Sequence, residues 1–221
     1  MATQLHTLSD PRVATALTRM FEGATHDSET ATRARAQRSS GYVPATPQEQ
    51  ADAAEEIYMP ISADGGKLLY NLVRAIRPAA VIEFGTSFGI STLYLAAAVR
   101  DNGAGKVVTT EMSHNKVAAA RRTFAETGLE DVVTVLEGDA RQTLAGLATP
   151  VDFLLLDGWK DLYLPVLQLL EPRLAPGSIV VADDVEFETV QPYLDYVRDT
   201  ANGYESVTFP VEDGMEISCR L

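Results

Sequence analysis

The 221-residue chain holds a single cysteine, Cys219, so no intrachain disulfide can form and a metal centre built from several thiolates is excluded. Histidine is almost as scarce. His6, His26 and His114 lie far apart and share no ligand spacing. Positive charge is in deficit: 18 Lys and Arg stand against 31 Asp and Glu, for a formal net charge of −13. So acidic a surface repels phosphate backbones and anionic membranes, which disfavours a nucleic-acid-binding module. No apolar run approaches membrane-spanning length. The first residues lack a basic stretch followed by an apolar one, so no secretory signal is expected and a cytoplasmic location is. What the chain does have is 46% hydrophobic residues, ample for a core.

The hydrophobic pattern divides the chain in two. Residues 1–56 read as an N-terminal helical segment, a lid or an oligomerisation arm. Pro11–Phe21 has the apolar spacing of an amphipathic helix, with Asp10 as its cap. From about Glu22 to Gln50 large apolar groups are few, and Arg33, Arg35 and Arg38 cluster there, the composition of a solvated helix and loop. Residues 57–221 read as one α/β domain. Ala79–Phe84, Lys106–Thr110, Val132–Leu136, Val151–Leu156 and Ser178–Ala182 are strand candidates. Helical stretches near Ser91–Arg100, His114–Thr127, Ala140–Leu147 and Leu162–Leu170 separate them. Such alternation predicts a parallel sheet with helices on both faces, a Rossmann-like doubly wound fold. The strand runs hardly alternate in polarity, as expected of strands buried on both sides. After a helix over Thr189–Thr200, the runs Tyr204–Phe209 and Met215–Cys219 are too close for a crossover and should pair antiparallel. The expectation is seven strands, five parallel plus a C-terminal antiparallel hairpin.

In such a sheet, ligands bind beyond the carboxyl ends of the strands. The first strand runs into Glu83-Phe-Gly-Thr-Ser-Phe-Gly-Ile-Ser91, where Gly85 and Gly89 let backbone approach a ligand and Ser91 can cap the next helix or bond the ligand. A second glycine two residues after Gly85 is missing, which argues against a nicotinamide cofactor. The second strand ends in Glu111-Met112, and an acid there suits two ribose hydroxyls. At the third, Asp139 is either a helix cap or an acceptor for an adenine amine, with the Ala140 N–H beside it. The fourth and fifth strands end in Asp157 and in Asp183-Asp184, 26 residues apart, about one crossover. Neighbouring strands would then aim three carboxylates at one point. Such a cluster repels itself unless a hard cation such as Mg²⁺ joins it. The plainer alternative is that Asp157 caps a helix and Asp183-Asp184 open a solvated loop. Lys160 follows Asp157 by three residues; beside a divalent cation its pKa would fall, which suits a general base, though a surface lysine balancing acids is the simpler possibility. Trp159, the single tryptophan, either walls an aromatic substrate or packs.

Leu154-Leu-Leu-Asp-Gly-Trp-Lys-Asp-Leu-Tyr-Leu-Pro165, followed by Pro176-Gly-Ser-Ile-Val-Val-Ala-Asp-Asp184, closely resembles the class I, metal-dependent catechol and caffeoyl-CoA O-methyltransferase family. The glycine loop and Glu111-Met112 resemble its S-adenosyl-L-methionine site, and Met59–Gly66 looks like its segment entering the first core helix. The resemblance implies that Glu83, Gly85, Ser91 and Ile61 hold the methionine end of S-adenosyl-L-methionine. It implies Glu111 on ribose, and Met112, Ala140 and Asp139 at the adenine. Asp157, which also faces the cofactor, would share Mg²⁺ or another divalent cation with Asp183 and Asp184, and Lys160 would be the catalytic base. The family usually has asparagine where this chain has Asp184, and the animal catechol enzymes carry histidine in place of Gly158, which implies a looser adenine pocket here. Glu212 and Glu216 are the two candidates for a late glutamate that orients the second hydroxyl. The implied reaction is methyl transfer to a hydroxyl of a small vicinal-diol phenolic substrate, by a homodimer with no membrane partner. Two alternatives stand: a tRNA hydroxyuridine O-methyltransferase, whose dimer would build a basic groove around Arg33, Arg35 and Arg38, and a non-catalytic S-adenosylmethionine-binding protein.

Overall fold

In the computed structural model, residues 6–37 and 46–221 are described. Arg38 lies outside them. The chain opens with α1 (Pro11–Ala24), α2 (Asp27–Gln37), α3 (Pro47–Ala53) and α4 (Ala63–Ile76). There follow β1 (Ala80–Phe84), α5 (Ile90–Asn102), β2 (Lys106–Glu111), α6 (His114–Thr127), β3 (Val133–Glu137), α7 (Ala140–Thr143) and β4 (Val151–Leu156). The chain closes with α8 (Tyr163–Leu170), β5 (Leu174–Ala182), α9 (Gln191–Arg198), β6 (Tyr204–Phe209) and β7 (Met215–Arg220).

The strands form one seven-stranded sheet in the order β3-β2-β1-β4-β5-β7-β6. The first five are parallel; β7 runs antiparallel to both β5 and β6. The expected architecture is therefore observed. Strand order reverses at β1, which pairs with β2 on one side and β4 on the other, so Ile82 lies between Val108 and Leu154. That reversal sends the helices after β1 and β4, α5 and α8, to opposite faces of the sheet and opens a crevice at the strand ends.

Alternate residues of the same strands feed two separate cores. Val81, Phe153, Leu155 and Val181 join α1, α4, α5 and α6 on one face. Ile82, Phe84, Leu154, Leu156 and Val180 join α8 and α9 on the other. Both faces being covered explains why the strand runs hardly alternate in polarity. Side-chain caps set several helix starts: Asp10 accepts from the Arg12 N–H at 2.9 Å, and Ser62 from the Gly65 N–H at 3.0 Å.

Three element expectations are revised. The helix sought over Ala140–Leu147 stops at Thr143, beyond which Gly146 and Pro150 favour turns. Strand β5 begins at Leu174 rather than Ser178, with a register shift against β4 between Val151 and Phe153 that accommodates Pro176-Gly177. The helix sought over Thr189–Thr200 is α9 flanked by single 3₁₀ turns at Glu188–Val190 and Thr200–Asn202. Among the described residues no helix is long and apolar enough to cross a membrane.

Candidate active site

A cavity of about 300 Å³ opens at the carboxyl edge of the sheet, bounded by the ends of β1, β2, β3 and β4 and roofed by Tyr58, Met59, Pro60 and Ile61. Gly85 makes it possible. Its φ is +109°, and a Cβ there would stand 2.3 Å from the Asp157 carbonyl oxygen, so only glycine lets the two loops meet.

Ile61, Gly85, Ser91, Glu111, Met112, Ala140 and Asp157 all line the cavity. Each Glu111 oxygen already accepts one backbone N–H, Oε2 from Ser87 at 2.9 Å and Oε1 from Ser113 at 2.8 Å. This fixes the carboxylate and leaves a lone pair on each oxygen for a ligand. Glu83 sits behind the glycine loop, wholly buried, with the Thr92 hydroxyl donating to Oε2 and Oε1 carrying no partner. Burial pushes its carboxyl up, against the hydroxyls of Ser91, Thr109 and Thr92.

Two expected roles are corrected. Ser91 does not cap α5; Gly89, with φ +96°, is the N-cap, and Ser91 lies buried in the first turn facing the cavity. Asp139 does not reach the cavity, because its carboxylate caps α7 through the Arg141 N–H at 2.8 Å and is held at Oδ2 by the Arg141 guanidinium at 2.6 Å. Side-chain hydrogen bonding to Arg141 comes first among the causes that hold Asp139 below its ordinary value. Nor is the pocket looser at Gly158. The Phe84 ring fills the space, 2.5 Å from where a Cβ would stand.

The three aspartates converge as expected. One carboxylate oxygen each from Asp157, Asp183 and Asp184 lies within 4.8 Å of the others. Asp183 is 3% exposed, and its Oδ1 is buried without a partner. Burial raises Asp183 to about 7, with Asp184 adding to the rise and Lys160 opposing it. Asp157 is likewise driven well upward by burial. Lys160 stands over the cluster, its Nζ 2.7 Å from Asp184 Oδ2, 3.5 Å from Asp157 Oδ1 and donating to the Tyr163 hydroxyl at 2.8 Å. Burial drives the ammonium down, but Asp157 and Asp184 more than reverse this, so Lys160 lies above its ordinary value.

The late glutamates separate clearly. Glu216 is buried against Arg198, at 2.8 and 2.9 Å, and accepts from Thr208. Glu212 instead accepts the Ser62 N–H at 2.8 Å, and its charge reaches Asp183. Trp159 lines the cavity, as do the half-exposed Met59 and Phe187. Sequence reasoning passed over Lys116. It is buried on α6 and lines the cavity with Nζ 3.1 Å from Ser87 Oγ. A cation in the first turn opposes the helix dipole, and that was the available signal.

Residues 82–185 match a family model described as a methyltransferase domain. Catechol O-methyltransferase B of Danio rerio is 32% identical over 178 residues, covering 74% of this chain and 66% of that protein. Catechol O-methyltransferase of Mycobacterium tuberculosis is 35% identical over 135 residues, covering 61% of this chain and 60% of that one. The chain thus spans a little under two thirds of the length of these curated relatives. Among solved structures, an O-methyltransferase from Bacillus cereus in complex with SAH has a TM-score of 0.67 at 17% identity, covering 91% of this chain and all of that one, a likeness of fold. Residues 82–185 thus match a methyltransferase domain, and the chain is similar in sequence to catechol O-methyltransferases and in fold to a solved O-methyltransferase.

Proposed function

We propose that this protein is a divalent-metal-dependent O-methyltransferase that moves the methyl group of S-adenosyl-L-methionine to one hydroxyl of a small vicinal-diol aromatic. The observation that carries this reading is the meeting of two half-sites across β1 and β4. Gly85 and Glu111 line one side of the cavity; Asp157 and Asp184 line the other, with Lys160 between those two acids.

The donor set fits the implied groups. All three acids offer hard oxygen ligands, and the unpartnered buried Oδ1 of Asp183 is an atom that a cation would satisfy. Asp157, Asp183 and Asp184 would hold the metal. Ile61, Glu83, Gly85 and Ser91 would hold the methionine end of the cofactor, Glu111 the ribose, and Met112 and Ala140 the base. When bound, the cofactor supplies an activated methyl on a sulfonium centre, and the cation supplies charge and a fixed orientation for two vicinal oxygens.

The chain's own residues do the rest. Lys160 takes the proton of the attacking hydroxyl at Nζ, and Tyr163, which also donates to the Asp183 carbonyl at 3.1 Å, fixes where Nζ points. Lys160 accepts a proton only when the acid charge that now holds its own is offset. Trp159, Met59 and Phe187 form an apolar mouth that excludes water from the reacting atoms. Holding two reactants in line is worth on the order of 10⁵ M or more in effective molarity. A homodimer belongs to the same reading, supported by the exposed Val207 and Phe209 on edge strand β6. Sedimentation velocity tests it.

The deciding experiment incubates the protein with S-adenosylmethionine and simple catechol, with Mg²⁺ or with chelator, and follows S-adenosylhomocysteine by mass spectrometry. Turnover should require Mg²⁺. Lys160→Met should abolish it while leaving S-adenosylhomocysteine affinity intact. Turnover indifferent to chelator would remove the metal from the reading, and no product from any vicinal diphenol would remove the acceptor class.

A further inference from the structure

Lys116 is the buried cation of this cavity that the proposed reaction does not use. The residue is 3% exposed, and its ammonium, with three donors, has one hydrogen-bond partner among the described residues, Ser87 Oγ at 3.1 Å. A buried ammonium left with spare donors is costly unless something accepts from it. Its surroundings supply little more: the Phe88 ring centroid lies 5.5 Å away, and the carboxylates of Glu111 and Asp27 act on it through space. Burial drives the ammonium below its ordinary value, against those two acids. The side chain nonetheless lines the cavity beside Glu111.

The same ammonium stands at the junction of the roof and the floor. Ser87 donates its hydroxyl to the Tyr58 carbonyl at 2.6 Å and its N–H to Glu111 at 2.9 Å. Tyr58 stacks on Phe88, ring centroids 4.2 Å apart. Asp27 of α2 accepts the N–H groups of Tyr58 at 2.9 Å and Met59 at 2.8 Å.

We propose that Lys116 is a further ligand-binding residue of the cavity, donating to a sugar oxygen of the bound nucleoside next to the hydroxyls that Glu111 accepts. The anion and the cation then grip the sugar from two sides: Glu111 accepts, Lys116 donates, and Ser87 joins both to the roof. This inference rests on the nucleoside reading of the cavity and adds a donor to it.

Calorimetric titration with two probes tests it. S-adenosylhomocysteine carries the whole ligand, and methylthioadenosine carries the nucleoside without the amino-acid carboxylate. Lys116→Met should weaken both by roughly ten- to hundredfold, about 1.4 to 2.8 kcal/mol at 1.4 per decade, without lowering the thermal midpoint of the unliganded protein. Lys116→Arg should recover most of the loss. If the methionine variant does not fold, Lys116→Gln decides, with an expected loss of at least fivefold for both probes. Unchanged affinity in the variants overturns the inference and leaves the nucleoside reading standing. A loss for S-adenosylhomocysteine with none for methylthioadenosine overturns the sugar assignment. Failure of the unmodified protein to bind either probe overturns the nucleoside reading and this inference with it.

Discussion

Gly85 and the Asp157 carbonyl oxygen stand so close that a methyl group on residue 85 would lie 2.3 Å from that oxygen. One backbone contact therefore joins the glycine-loop half of the site to the half that carries the three aspartates. Gly85→Ala combines an unfavourable φ with a clash against main chain and should cost about 3 kcal/mol. It should also weaken S-adenosylhomocysteine and Mg²⁺ together. Thermal melting and titration of both ligands check this, and the loss of only one affinity would break the link.

Asp184 is the nearest acid to Lys160, at 2.7 Å. Asp184→Asn removes one of the charges that hold the ammonium above its ordinary value, so the Lys160 pKa should fall. The acid limb of the pH–rate profile should move to lower pH, and Mg²⁺ should bind about tenfold more weakly with one charge fewer. A profile unmoved by the substitution would exclude Lys160 as the titrating base.

Asp183 titrates near 7, above its ordinary 3.8, so the folded chain favours its protonated form. Without metal, the stability from this group is full below about pH 3.8 and is lost as pH rises through about 7. A metal needs the ionised form. Mg²⁺ affinity should therefore fall by at least about tenfold per pH unit below 7, with Asp157, also pushed up by burial, steepening the loss. Melting curves at pH 6, 7 and 8 with and without Mg²⁺ would show a stabilising increment that grows with pH; a constant increment contradicts it.

Glu83 offers its unpartnered Oε1 behind the glycine loop. Glu83→Gln should leave thermal stability unchanged or raised, because burial already disfavours the charged form. Affinity for S-adenosylhomocysteine should fall at least tenfold, while methylthioadenosine, lacking the amino-acid end, should bind as before. Equal losses for both ligands would place Glu83 away from the methionine end.

The fold was legible in the sequence because strands buried on both faces carry apolar runs such as Phe153–Leu156 that do not alternate in polarity. The acid trio was legible because a crossover-length spacing brings Asp157 and Asp183 to neighbouring strand ends, β4 beside β5. What the chain hid was competition for side chains. Asp139 reads equally as a cap and as a base contact, and only the position of Arg141 decides. Glu212 and Glu216 differ because Arg198, from another element, claims the second. Gly158 suggested free space, but a ring three residues before Ser87 fills it. Such outcomes depend on which neighbour arrives, and no local pattern records that.

Asp27 ties two amide hydrogens over the crevice to α2, a helix with no buried residue among its described side chains. Such a unit detaches at far smaller cost than the sheet beneath it. The segment over the crevice is thus tied to a helix with little hold on either core, and a shift of that helix need not disturb the acids and glycines below.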